Sequence, residues 1–150
     1  MGIHATKQCV DALAGILRAA VLGVDGRVYV GRVTPLTSAL LPALVVDVAE
    51  ESIDLATIHG PGMLQRSVTI DIGAIVREAD GYDDAAYALL VEIEHAIAGD
   101  PTVGSKALDI TLVSVEFQRA AEADQPVVRA TLRVRADVMV ESNAVDVPLV

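Results

Sequence analysis

The sequence predicts an α+β, two-layer domain: two helices against a mainly antiparallel or mixed five-stranded sheet, in the order α-β-β-β-α-β-β. Three observations lead there. Residues 127–140 alternate without a break, with Val128, Ala130, Leu132, Val134, Ala136 and Val138 on one side and Arg129, Thr131, Arg133, Arg135 and Asp137 on the other. Residues 81–98 instead repeat their apolar side chains at helical spacing, through Ala86, Leu89, Leu90, Ile93 and Ile97. A sheet with one dry and one charged face, and only two helices to cover it, is the pattern of a two-layer fold.

The elements follow in order. Residues 5–22 read as an amphipathic helix: Val10, Leu13, Ala14, Leu17, Ala20 and Val21 share a face, Lys7, Asp11 and Arg18 lie off it, and Gly23 stops it. A turn at Val24–Arg27 leads into strand one, about 27–34, where Gly31 marks a bulge between Val30 and Val33. Strand two is expected at about 43–49. Between them Pro35 and Pro42 bracket an apolar connector, because proline donates no ladder hydrogen bond and is confined to strand ends, edges and turns. Residues 50–64, with Glu50 and Glu51 at the start and a Gly-Pro-Gly at the end, read as a long loop, and Glu50, Glu51, Ile53, His59 and Met63 become candidate partner-binding residues. Strand three, about 66–78, sets Val68, Ile70, Ile72, Ala74 and Val76 against Thr69, Asp71, Gly73 and Arg77. Asp80 or Asp83 caps the second helix, and Gly99 and Pro101 end it. Strand four, about 108–119, and strand five flank the loop "EADQP". No linker, repeat or low-complexity segment divides residues 1–150, so a single domain is expected.

Composition narrows the function. At 150 residues the domain can bury roughly 68–70% of its unfolded surface. Its longest apolar run, Ala39–Val46, is broken by proline and falls far short of the ~20 residues that span a bilayer. Lys7, Asp11 and Arg18 interrupt the first segment, which does not have a secretory signal pattern. A lone Cys9 excludes an internal disulfide and fits a reducing compartment. The net charge is −10, with twelve acidic residues from Asp47 to Asp100 against Arg66 and Arg77, while Arg119–Arg135 carries four arginines against Glu122 and Asp124. An acidic chain with four aromatic residues lacks both the charge and the stacking rings of a nucleic-acid grip.

Chemistry is sparse. His4 and Cys9 lack two further ligands for a tetrahedral metal site. Glu92 and His95 make only half of a di-iron pattern that needs facing helices. "HGPGM" (His59–Met63) has the glycines of a phosphate loop without its Lys and Ser/Thr, so it reads as a turn. Thr34, Thr37 and Ser38 have no nucleophile-elbow context. Carboxylate pairs such as Glu50–Glu51 and Asp83–Asp84 suit solubility and a helix dipole. No catalytic, cofactor or metal residue is expected, and the chain does not read as an enzyme.

The element order, with Arg32, Pro35 and Leu36, then Leu41, Pro42, Ala43 and Leu44, and the helix of Asp83–Thr102 running into an Asp-Pro turn, resembles the tail terminator proteins of long-tailed bacteriophages. These form the minor tail protein U-like family, also called tail completion or tail-to-head joining proteins. The resemblance implies a structural role in the tail and neck region of a virion, assembled in the host cytoplasm. It implies a homo-hexameric ring that caps the finished tail tube, stops its polymerisation and presents a surface to the head–tail connector, with the tail tube protein as the other partner and no membrane. A ring uses heterologous contacts, for which Arg129, Arg133 and Arg135, with Leu36 and Leu40 of the connector, are candidate interface residues facing acids of the 47–100 region. Leu36, Leu40 and Leu41 equally suit the subunit's own core. The rival readings are another neck or tail-tube protein of the same virion, a small cytoplasmic α+β enzyme with a site between chains, or a ligand-binding module.

Overall fold

A computed structural model describes residues 2–31, 36–55, 62–77, 81–122 and 125–149. Helix α1 (Ala5–Ala20) is capped at its N-terminus by His4, whose Nδ1 accepts from the Thr6 amide at 3.2 Å. A short 3₁₀ turn, Leu22–Val24, is followed by Asp25 and Gly26, both left-handed (φ 48° and 75°), the conformation that Asp tolerates and Gly takes freely. Then come β1 (Val28–Val30), a second 3₁₀ turn at Ser38–Leu40, β2 (Ala43–Leu55), β3 (Met63–Arg77), helix α2 (Tyr82–Gly99), β4 (Asp109–Glu122), β5 (Gln125–Glu141) and β6 (Ala144–Leu149). The class is α+β, as the alternation and the two helical stripes require. Among the described residues the sheet has six strands, in the order β1-β2-β3-β5-β4, and β6 adds to β5 beyond the end of β4. The sequence reading lacks that last strand.

Every strand pair is antiparallel except β1 with β2, which runs parallel with Val28 opposite Leu44. That pairing explains the connector. Antiparallel neighbours can be joined by two residues, whereas parallel neighbours need a crossover of about a dozen or more. Residues 31–42 supply it, and Pro42, joined to Leu41 by a cis peptide, opens onto β2. Gly31 is left-handed at φ 61° and still donates to the Val46 carbonyl at 3.0 Å, so it is where the chain leaves the strand. Arg32, Thr34 and Pro35 lie outside the described residues.

The main core lies between the helices and one sheet face. Leu13 and Leu17 of α1 and Ala86, Leu89, Leu90, Ile93 and Ile97 of α2 meet Val68, Ile70, Ile72 and Ala74 of β3 and Val128, Leu132, Val134 and Val138 of β5. This is the expected parity. Arg133 and Arg135 point out of the opposite face, where Arg129 is half-buried. Ala20, expected on the buried face of α1, is exposed because the helix ends there, and Val21 is buried in its place.

The opposite face is not wholly wet. The connector's Leu36 and Leu41 form a second cluster there with Ala43, Val45, Ile75 and Val127, flanked by Tyr29 and Leu40. Leu36 is 1% exposed, so it has no surface to offer a neighbour, and only the partly buried Leu40 remains at the rim. Helix α2 begins at Gly81 (φ 80°) without a side-chain cap. Asp83 and Asp84 instead sit in its first turn, where carboxylates suit the positive end of the helix dipole; Asp80 is outside the described residues.

The largest departure from the sequence reading is the segment 50–64. Residues 50–55 continue β2 and Met63 opens β3, in an arm paired from Glu50 opposite Thr69 to Leu55 opposite Leu64. A register shift between Val48 and Glu50 marks a bulge, the reason the alternation read from the sequence failed there. His59 and the Gly-Pro dipeptide lie outside the described residues.

Candidate functional site

The sheet face remote from the helices carries the charged constellation. Arg133 Nε and Nη2 donate to Asp71 Oδ1 and Oδ2 at 2.8 and 2.9 Å, a bidentate fork across β5 and β3. Asp71 holds the guanidinium even more firmly protonated than usual, first through this hydrogen bond and then through its charge. Arg135 stands 3.8 Å from Asp137, whose carboxylate also accepts from the Ser67 hydroxyl at 2.9 Å. A polar groove of about 420 Å³ runs across this face from Asp47 through Asp71, Arg133 and Arg129 to Ser114 and Glu116. The three candidate arginines therefore share one face, and Arg133 is engaged within its own subunit.

The arm forms a second constellation. Glu51 Oε1 accepts from Thr6 Oγ1 at 2.8 Å and from Arg66 Nη1 at 3.0 Å, which ties the arm to the first turn of α1. Arg66 is largely buried, and its Nε has no hydrogen-bond partner. The sequence reading missed this anchor, because the three residues are distant in sequence and share no motif. Glu50 and Ile53 lie exposed on the same arm, and Met63 is half-buried at its far strand.

The third feature is apolar and exposed. Strand β4 ends the sheet, and along its length Leu112, Val113, Val115 and Phe117 stand in solvent, as do Tyr87 and Val91 of α2, each between 40% and 57% exposed. Leu112 pairs with Val134, Val115 with Leu132 and Phe117 with Ala130, all core residues, so this row lies on the helix side of the sheet. Tyr87 and Phe117 meet with ring centroids 5.2 Å apart, bridging α2 and the edge strand.

Residues with chemical potential are dispersed. Among the described residues, no three of His, Cys, Asp or Glu come together as a metal group, and no helix is long and apolar enough to cross a membrane. Cys9 is fully buried in the main core, and burial pushes its thiol up to about 11. It should therefore resist alkylation at pH 8 while the protein is folded and react once denaturant is added; equal rates would contradict its burial. The raised thiol also binds its proton more tightly in the folded state. Its contribution to stability is full below about 9 and is lost as pH rises toward about 11. A cleft of about 560 Å³ between α2 and Pro42 has Leu41, Val76 and Leu89 in its wall, and among the described residues that line it Arg77 and Glu92 carry charge.

A scan against protein-family models finds no match, and no curated protein matches the sequence. Among solved structures, the chain is similar to one described as "Virion of native gene transfer agent (GTA) particle". The identity is 18% and the TM-score 0.49, over 85% of this chain and 92% of that one.

Proposed function

We propose that this chain is a structural virion protein that caps the end of the tail tube as a ring, stops tube growth and offers the head-joining surface. The observation that carries the reading is the exposed apolar row on β4, from Leu112 to Phe117, which meets α2 at the Tyr87–Phe117 ring contact. A monomer has no use for an edge strand that is both unpaired and apolar, since such an edge invites other chains to pair with it. An assembly subunit does. The element order and the "RVTPL" and "LPAL" signatures, which resemble tail terminators, supply the kind of assembly. In that role the protein acts by occupying the tube end, with its own copies, the tail tube protein and the connector as partners and with no substrate turnover or cofactor.

Immunogold labelling of intact particles tests the location. Label should appear once per particle, where tail meets head. Label along the whole tail would identify a tube subunit and reject the capping role.

A further inference from the structure

We infer that β4 of one copy pairs edge to edge with the distal half of β2 of the next copy, an antiparallel contact that continues one sheet from subunit to subunit. The inference rests on the ring-forming role above and names the partner surface. Among the described residues, two long stretches of the sheet lie open at an edge, beside the short outer sides of the three-residue β1 and the six-residue β6. One is β4. The other is β2 beyond Val46, because β1 covers only Leu44, Val45 and Val46. An open edge is a row of unpaired backbone donors and acceptors, the substrate for strand addition.

Direction and apolar pattern favour this pairing. Strand β2 is antiparallel to β3, β3 to β5 and β5 to β4, so β2 and β4 run in opposite senses. A copy rotated about an axis roughly along the strands therefore presents β2 to β4 as an antiparallel neighbour and keeps its helices on the same side.

On the helix side, the β2 edge exposes Val48, Ile53 and Leu55, each between 47% and 59% exposed, and Val48 and Leu55 lie opposite the core-packed Ile70 and Leu64. Continuing the sheet places this row beside Leu112, Val115 and Phe117, so two exposed apolar rows cover each other. On the remote side, the β2 edge carries Asp47, Glu50 and Asp54, while β5, the strand next to the β4 edge, carries Arg129, Arg133 and Arg135. These acids would lie across Ser114, Glu116 and Gln118 of β4 from the arginines, and Arg133 already forks Asp71 in its own subunit, so the paired apolar rows and the open backbone edges carry the contact. The contact is heterologous, the type that closes rings.

Two single variants of the full-length chain test it: Val115→Lys on the β4 edge and Ile53→Lys on the β2 edge, both at exposed positions. Sedimentation equilibrium should show concentration-dependent assembly of the wild type. Each variant alone should need at least about tenfold higher concentration to assemble, a loss of roughly 1.4 kcal/mol, with unchanged circular dichroism and melting. Mixed in equal amounts, the variants should form a 1:1 pair that grows no further, because each copy supplies the edge that the other lacks. A wild type that stays monomeric, a single variant that assembles like wild type, or a mixture that stays monomeric would each overturn the edge pairing. None of these outcomes bears on where the protein sits in the particle, which the labelling experiment reads independently.

Discussion

Replacing Leu132 with alanine should lower the free energy of unfolding by about 2–5 kcal/mol, the range for emptying a well-packed leucine site. Leu132 is 1% exposed, on the central stretch of β5, with Ile72 of β3 on one side and Val115 of β4 on the other. Strands on both sides hold the backbone in place, so the cavity left by the side chain cannot easily collapse. Urea unfolding followed by circular dichroism would measure the loss. A cost below about 1 kcal/mol would mean that the site relaxes freely, contrary to close packing between helices and sheet.

Glu51→Ala should be the next most damaging change, at about 1–3 kcal/mol. The carboxylate is the acceptor shared by Thr6 and Arg66, and removing it takes from an arginine side chain only 12% exposed the acid that it bonds. Glu51 is itself 25% exposed, which places the cost below the roughly 3–5 kcal/mol of breaking a fully buried pair. Glu51→Gln keeps an acceptor and should lose less. If alanine and glutamine destabilise equally little, the contact does not hold the arm to α1.

The helix α2 and strand β5 were legible because each buries one face against a single layer. Burial on one side imprints its period on the sequence, 3.6 residues for the Leu89–Ile93–Ile97 stripe and two for the Val128–Val138 row. The arm was not legible for the converse reason. Val48, Ile53 and Leu55 are exposed, Glu51 is half-buried on the same side, and a bulge shifts the register, so neither face carries a period. β6 was lost for a similar reason, being a short strand at the sheet's margin that contains Pro148.

The arginine face was legible as a row of charges, but its pairing was not. Arg133 meets Asp71 only because β3 and β5 are in register there, 62 residues apart in sequence. Leu36 shows the opposite case. Its apolar character was plain, yet whether it packed inward or outward depended on the parallel crossover, which becomes visible only when β1 and β2 are seen side by side.

The capping role is tested most directly by tail length. Particles assembled without this protein should carry overlong tails of variable length that fail to join heads, as measured by electron microscopy of negatively stained lysates. Tails of normal length, joined to heads in the protein's absence, would contradict the role.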